Sequence, residues 1–326
     1  MELFQGLVVS AILLGCMYTL VAIGFSLFFG VMDVVVFCCG DIAILGSFTI
    51  MGAWVVLRSA GLFEALPFAV CVALLVLAGA LLCAFMGLVT YRASIAPFRE
   101  SSDLMPLLST IAMGTVIKEV LGLLFKPVVN ALSAAAGSAS ALSVTSGRNP
   151  QGFPKLLEPL TPGWWDAPLD FTKAAIIAVT VVILTLLFLF LNKTKMGLSM
   201  QAVAQNKELS IMTGINVSRV IVITFLTGGV LLAIGGFLMG NYQGIMSFDN
   251  GAMYGAKGFS AAVVGGLRNT WGAVAGGMLL AFVEVFVAGY APGGMAYANI
   301  VAFVVVVVFI VFKPEGIIGE KSVEKV

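Results

Sequence analysis

Histidine is absent from this chain of 326 residues, and only 10% of the residues are charged. Without histidine, the chain lacks the side chain that most often serves as a general base or a metal ligand near neutral pH. It also lacks the Gly-x-x-x-x-Gly-Lys-[Ser/Thr] motif with which P-loop proteins bind nucleotide phosphates. We therefore expect no metal site, no cofactor, no catalytic residue and no ATP hydrolysis by this chain alone. A membrane-embedded enzyme is disfavoured for the same reasons.

Cysteine and net charge are low as well. A net charge of +1 gives no overall field that would attract nucleic acid. Five cysteines occur, all within apolar stretches, and the sequence offers no histidine to join them as metal ligands. We expect buried, reduced thiols at these five positions, which are Cys16, Cys38, Cys39, Cys71 and Cys83.

Hydrophobic residues are abundant instead, at 60% of the chain, and the mean hydropathy is +1.11. A helix needs about 20 apolar residues to cross about 30 Å of hydrocarbon, because each residue rises about 1.5 Å. The sequence therefore predicts an all-α polytopic membrane protein, a single transmembrane domain over 1–326 with about eight to ten spanning helices. The apolar segments lie near 4–29, 41–57, 68–91, 104–125, 172–192, 220–240, 256–267, 271–290 and 298–312.

Lysine and arginine in the connecting segments predict the orientation, because cytoplasmic loops carry an excess of both. Three segments are expected in the cytoplasm: the loop with Arg92 and Arg99, the loop 193–219, and the tail 313–326. The segment 126–170 is rich in Ser, Gly and Pro and ends near Trp164-Trp165, so we expect an external loop there. Placing Arg219 and Lys313 on the same side requires the short segment 256–267 to cross as a short helix.

A polar segment, 196–216, lies inside the loop 193–219 and is predicted to be helical, ending at Gly214-Ile215. One face would carry Leu198, Ala202, Leu209 and Met212, while Gln205, Asn206, Lys207 and Glu208 would stay in water. Two interpretations fit this pattern. The apolar face docks on a cytoplasmic partner, or the helix lies on the bilayer surface. We favour docking, because a surface anchor needs more lysine and more bulky apolar residues.

Four charged residues, Asp33, Asp41, Lys257 and Glu284, fall within or beside apolar segments. A lone charge there costs several kcal/mol, so we expect these side chains to face the protein interior. Asp41, Lys257 and Glu284 are candidates for a substrate path, and the alternative is a structural ion pair between Lys257 and one of the acids. A weak similarity between 40–47 and 258–266, two runs of small residues, suggests interrupted helices at a midplane site.

Several collinear motifs resemble the membrane permeases of bacterial branched-chain amino-acid ABC transporters, the LivH type. The resemblance runs nearly end to end and includes 196–217, 258–266, Gly272-Ala273-Val274-Ala275-Gly276-Gly277 and Lys313-Pro314-Glu315-Gly316-Ile317-Ile318-Gly319. It also includes Tyr18-Thr19-Leu20-Val21-Ala22-Ile23-Gly24-Phe25, Ala96-Pro97-Phe98-Arg99 and Leu104-Met105-Pro106-Leu107-Leu108-Ser109.

The resemblance implies a multi-pass permease of the bacterial inner membrane that imports branched-chain or other apolar amino acids by alternating access. Its implied partners are two ABC ATPase subunits, a second and usually non-identical permease, and an external substrate-binding protein. The segment matching the coupling helix of such permeases would use Leu198, Ala202, Asn206, Leu209, Met212 and Gly214 to contact an ATPase. The alternative function is an ion-coupled secondary transporter of amino acids or small carboxylates, with Asp41 or Glu284 as the ion site.

The chain departs from these relatives after the first helix. They typically read Asn-Phe-Ala-His-Gly followed by Glu or Asp, whereas this chain reads Val36-Phe37-Cys38-Cys39-Gly40-Asp41. Phe37, Gly40 and the acid match the pattern and are expected on the substrate path, but the amide and the imidazole are replaced. We therefore expect this chain to hold its substrate differently from these relatives. The sequence leaves open whether the substrate is an aliphatic, aromatic or unusual amino acid or a small organic acid.

Overall fold

A computed structural model describes residues 2–61, 67–98, 102, 104–135, 149–158, 170–291, 293–313 and 315–318. Its helices are α1 (Glu2–Met32), α2 (Cys39–Ser59), α3 (Phe68–Thr90), α4 (Leu104–Ala135), α5 (Phe171–Lys193), α6 (Lys195–Gln205), α7 (Lys207–Met212), α8 (Val217–Gln243), α9 (Asn250–Gly265), α10 (Thr270–Tyr290) and α11 (Gly294–Phe312). A π-helical turn at Tyr91–Ile95 and a 3-10 turn at Ala96–Phe98 extend α3. Two short antiparallel strands, β1 (Gln151–Gly152) and β2 (Ile245–Met246), pair with each other.

Seven of these helices are long and apolar enough to cross a membrane, which confirms the prediction of an all-α polytopic protein. The spans are Phe4–Met32, Cys39–Ser59, Phe68–Phe98, Leu104–Ala134, Phe171–Lys193, Val217–Gln243 and Thr270–Tyr290. A shorter apolar helix, Tyr297–Phe312, brings the total among the described residues to eight, the lower end of the predicted range. All five cysteines are free and buried, as predicted.

The segment predicted as an external loop, 126–170, is shorter than expected. Helix α4 continues through Pro127 to Ala135, so the first ten residues of the segment are helical. Within a long membrane helix, neighbouring groups can satisfy the backbone hydrogen bond that a proline removes. Trp164-Trp165 lies outside the described residues, and the side of the membrane stays a prediction.

Helix α9 begins six residues earlier than the apolar segment 256–267 indicated, at Asn250, and it ends at Gly265. The run 258–266 therefore closes a helix, whereas 40–47 opens α2, so the suggested internal similarity between them is wrong. The 16 residues of α9 span about 24 Å, less than the hydrocarbon thickness of about 30 Å. Its crossing of the membrane as a short helix stays a prediction.

The chain divides into two compact units, one from 1–36, 176–224 and 256–326, and one from 37–175 and 225–255. In the first unit, α1 packs on α10, which also packs on α11. Close approach needs glycine here, because a Cβ on Gly277 would lie 2.8 Å from the backbone nitrogen of Thr19. In the second unit, α2 packs against both α3 and α4.

The described part of the tail completes the first unit. Backbone N–H groups of Ile317 and Ile318 donate to the carbonyls of Val264 and Gly265, at 2.9 and 3.1 Å. These carbonyls belong to the last turn of α9, where a helix leaves carbonyl groups without partners of its own. The tail therefore caps α9, and the lysine at 313 donates to the carbonyl of Ile317 within the same turn.

Candidate translocation and coupling sites

The predicted coupling segment folds as two short helices, α6 and α7, joined at one residue. Thr194 caps α6, and Asn206 ends α6 and caps α7; each side chain accepts an N–H from the first turn of its helix, at 3.0 and 3.1 Å. Gly214, with φ +83°, ends α7, and the N–H of Ile215 donates to the carbonyl of Ser210 at 3.0 Å. This is the helix stop that glycine in the left-handed region allows, as the sequence predicted.

The two faces of this segment differ sharply. Gly197, Met200 and Val203 of α6 are buried. A Cβ on Gly30 of α1 would lie 3.6 Å from the Cβ of Ala204, so α6 packs near the end of α1. The opposite face presents exposed apolar side chains, which are Leu198 of α6 and Leu209, Ile211 and Met212 of α7.

The predicted apolar face is largely exposed. Leu209 and Met212 are 59% and 83% exposed, and Ile211, which sequence reasoning missed, is exposed beside them. Ala202 is only half-buried. Asn206 was expected to stay in water, but it is half-buried because it forms the joint between the helices.

The second unit holds Asp41 in a narrow space in the first turn of α2. A Cβ added to Gly114 or to Gly251 would collide with the carboxylate oxygens of Asp41. Lys118, one turn after Gly114 on α4, forms an ion pair with Asp249 and acts electrostatically on Asp41. The cluster therefore consists of two acids, Asp41 and Asp249, and one ammonium group, that of Lys118. Glycine on both sides leaves room for the Asp41 carboxylate.

Gly40 and Phe37 lie beside this cluster. A Cβ on Gly40 would collide with the carbonyl oxygen of Gly251 and with the backbone nitrogen of Gly255, so α2 and α9 touch through their backbones. The N–H of Phe37 donates to the hydroxyl of Thr110 at 3.3 Å. These contacts hold the start of α2 against α4 and α9.

Cys38 and Cys39 replace the alanine and histidine of the family pattern. Both are fully buried, and the thiol of Cys38 lies 3.9 Å from the hydroxyl of Thr90, to which it donates. A buried thiol pair lacks the charge and the strong hydrogen bonds of an imidazole. The start of α2 therefore packs here through thiols and not through a charged or strongly hydrogen-bonding side chain.

The first unit contains a closed group of three polar side chains, the clamp of Tyr18, Lys257 and Glu284. The ammonium of Lys257 donates to Glu284 at 2.6 Å and to the hydroxyl of Tyr18 at 2.9 Å. The same hydroxyl donates to the second carboxylate oxygen of Glu284 at 2.9 Å. The side chains of Lys257 and Glu284 are 7% and 14% exposed. Both face the interior as predicted, and they form the ion pair that was the structural alternative for these residues.

Asp33 does not face the interior, so the prediction for this residue is wrong. It follows the last residue of α1, with φ +57°, and its exposed carboxylate pairs with the exposed guanidinium of Arg268. Because Asp33 lies at the end of α1, its carboxylate can extend into solvent beyond the apolar segment. An exposed ion pair of this kind contributes about 0–1 kcal/mol to the stability of the protein.

Sequence reasoning missed Tyr18, Lys118 and Asp249. Lys118 falls inside the predicted apolar segment 104–125, and the rule that identified Asp41 would have found it, together with Glu119. Tyr18 and Asp249 gave no such signal, because a tyrosine in a span and an acid between two helices are both common.

Comparisons with known proteins give a consistent result. A family model described as "Branched-chain amino acid transport system / permease component" matches residues 7–310. The high-affinity branched-chain amino acid transport permease BraD of Pseudomonas aeruginosa is 27% identical, over 98% of this chain and 96% of that protein. LivH of Escherichia coli K12, with the same description, is 28% identical over 97% and 96%. A probable LivH of Methanocaldococcus jannaschii is 27% identical over 84% and 81%. No solved structure matches the chain significantly.

Proposed function

The chain belongs to the family of branched-chain amino acid transport system permease components, and from this premise we propose that it imports branched-chain or other apolar amino acids as the membrane subunit of an ATP-driven transporter. It is a multi-pass protein of the bacterial inner membrane. The relatives carry names of high-affinity branched-chain amino acid systems, which supports the same substrate class here. Its role is transport rather than a chemical reaction.

Energy for uptake comes from partner subunits in this proposal. The sequence has no P-loop motif, so two ABC ATPases supply nucleotide hydrolysis. A second permease, non-identical to this chain, completes the membrane part, and an external binding protein delivers the substrate. Each partner follows from the type of system to which the family belongs.

The exposed apolar face of α6 and α7 is the observation that carries the proposal. Leu209, Ile211 and Met212 project from a short helix that capping residues hold at both ends. A groove on an ATPase would bury these side chains, as in other helix-in-groove contacts. A helix lying on the bilayer would instead show a row of lysines above a broad apolar face, and α7 has a single lysine, Lys207.

Movement of this segment reaches other helices of the same unit through packed contacts. α6 packs near the end of α1, and α1 contributes Tyr18 to the clamp that joins α9 and α10. An ATPase that pulls on α6 would therefore move these helices together, as a rigid-body step of alternating access. Lys257 and Glu284 act in this proposal as part of a clamp between helices of the first unit.

The substrate path includes the start of α2. Phe37, Gly40 and Asp41 lie at the start of α2, where Gly114 and Gly251 leave room for the Asp41 carboxylate between two helices, and Lys118 on α4 acts electrostatically on it. A carboxylate and an ammonium group at one place complement the two charges of an amino acid. This arrangement supports an amino acid over a simple carboxylate as substrate.

Substitution of Met212 tests the coupling surface. Met212→Arg places a charge on the most exposed apolar side chain of α7, where burial without a partner costs about 2 kcal/mol or more. We expect ATP-driven uptake in membrane vesicles to fall about tenfold or more, since about 1.4 kcal/mol is a factor of ten. The ATPases should also co-purify less with the permease.

The matched control is Ser218→Arg, which adds the same charge at an exposed position in the first turn of α8. Its uptake and co-purification should equal those of the parent protein. Equal loss in both variants, or unchanged uptake in Met212→Arg, would remove the docking role of this surface.

A second candidate function is an ion-coupled secondary transporter. The observation in its favour is the pair of buried charges, Lys257 and Glu284, because ionisable side chains inside a membrane often carry proton or cation relays. We rank it second, because all three polar groups of the clamp bond to one another and the exposed face of α7 has no role in such a transporter.

A further inference from the structure

Helix α4 presents three different faces along its length. Successive residues advance by about 100°, so spacings of three and four return to the same side. One face is buried against α2 and carries Gly114, Ile117, Leu121, Phe125 and Val129. A second face carries large exposed apolar side chains, which are Val116, Val120, Leu123 and Leu124.

The third face, which we name the α4 stripe, contains only small or polar residues over five turns. Its members follow one another at spacings of three or four positions: Ala112, Thr115, Glu119, Gly122, Lys126 and Asn130. Ala112, Thr115 and Lys126 are exposed, Glu119 and Asn130 are half-buried, and Gly122 is buried. The hydroxyl of Thr115 donates to the carbonyl of Ile111 in its own helix and needs no partner outside it. The charged residues Glu119 and Lys126 therefore indicate better what the stripe faces.

Glu119 is the middle residue of the candidate span Leu104–Ala134, with 15 residues before it and 15 after it. A charge at the centre of a bilayer costs several kcal/mol when it faces lipid. Lysine can reach the interface along its long side chain, but a glutamate at the midpoint is too short for that. The α4 stripe therefore faces water or protein, whereas the neighbouring face with Val116 and Val120 suits lipid.

We propose that the α4 stripe lines a water-filled path through which a zwitterionic solute passes. Lys118 precedes Glu119 in the sequence and belongs to the cluster with Asp41 and Asp249. Charged groups therefore also lie next to the stripe. Glu119 and Lys126 have opposite charges, about two helical turns or 10 Å apart, so the stripe has no net charge to trap an ion of one sign. An amino acid, with one positive and one negative group, matches this pattern.

This inference rests on the proposed function and adds the helix face that lines the path. Cysteine substitution tests it in the assembled transporter in membrane vesicles, with a membrane-impermeant methanethiosulfonate as the probe. The stripe variants are Thr115→Cys, Glu119→Cys and Asn130→Cys, and the controls are their neighbours Val116→Cys, Val120→Cys and Leu123→Cys. The five native cysteines are buried, so the parent protein provides the background rate.

We expect the stripe variants to react at least about tenfold faster than the controls, because the thiolate that attacks the reagent forms in water and not in lipid. We also expect L-leucine to slow the labelling of Asn130→Cys, and 3-methylbutylamine, which lacks the carboxylate, to leave it unchanged. Equal protection by the amine would overturn the zwitterionic solute.

Equal labelling of both faces, fast or slow, would overturn the water-filled path. The labelling rate needs no ATP hydrolysis, so it separates this inference from the proposed function. An unreactive stripe in a transporter that retains ATP-driven uptake removes the inference alone. A reactive stripe in a protein that takes up amino acids without ATPases removes the proposed function and leaves the stripe.

Discussion

Each polar side chain of the clamp forms hydrogen bonds with the other two, which explains how a lysine and a glutamate can be buried among apolar helices. Lys257 donates to both partners, and Tyr18 donates to Glu284, so three side chains from three helices form a closed ring of hydrogen bonds. Buried ion pairs of this kind commonly add little net stability, but removing one partner leaves an uncompensated charge. A structural clamp and a substrate site therefore respond differently to substitution.

Glu284→Gln should destabilise the protein by about 3–5 kcal/mol, because the ammonium of Lys257 loses its carboxylate. The triple variant Tyr18→Phe, Lys257→Met and Glu284→Leu removes all the polar groups together, and its stability should lie within about 1–2 kcal/mol of the parent. The midpoint of thermal unfolding in detergent measures both effects. A triple variant that is stable but takes up no substrate would place these residues on the substrate path instead.

At the scale of elements, the joint of α6 and α7 shows how short helices keep a fixed geometry without a core of their own. Asn206 and Gly214 bound a helix of only six residues, Lys207–Met212, which is too short to be stable in isolation. The caps at its two ends therefore decide whether Leu209 and Met212 project as a rigid surface.

Gly214→Ala should weaken this surface, because alanine in the left-handed region costs about 1 kcal/mol. Space does not limit the substitution, since a Cβ at this position meets nothing within 4 Å. Asparagine tolerates the same φ, so Gly214→Asn is the matched control and should keep more activity. Hydrogen exchange of the α7 amides should be faster in the alanine variant, and ATP-driven uptake should be lower. Equal exchange in the two variants would contradict this account.

The spanning helices were predictable from sequence wherever a long apolar run ends at polar residues. The segments 68–91 and 271–290 match Phe68–Thr90 and Thr270–Tyr290 to within one residue. The prediction placed the start of helix α9 too late, because the first turns of this helix contain Asn, Gly and Tyr and are not strongly apolar. Their helical conformation depends on packing against Gly40, which hydropathy does not report.

The candidate sites were less predictable than the helices. Charged residues in apolar segments indicated Asp41, Lys257 and Glu284, because burial of a charge is costly whatever the fold. The partners depend on tertiary contacts: Tyr18 bonds to Lys257 across 239 positions of sequence, and no local pattern encodes that pairing. The functional roles of Asp41 and of the coupling residues stay predictions.

For the whole molecule, the decisive property is a membrane domain whose sequence has no P-loop motif. The first unit carries an exposed apolar surface on α7 and a chain of contacts from α6 through α1 to the clamp. The second unit holds the Asp41 cluster. In the proposed function, this domain accumulates a solute only when partner subunits supply the work.

Reconstitution tests this dependence directly. In liposomes that contain this chain alone, we expect no accumulation of labelled leucine under a proton or sodium gradient. Addition of the second permease, the ATPases, the binding protein and ATP should produce accumulation, and a non-hydrolysable ATP analogue should abolish it. The analogue is the control that separates nucleotide binding from hydrolysis. Accumulation by the single chain under an ion gradient would instead establish a secondary transporter, because a coupled ion would then supply the free energy through the buried charges of Asp41 or Glu284.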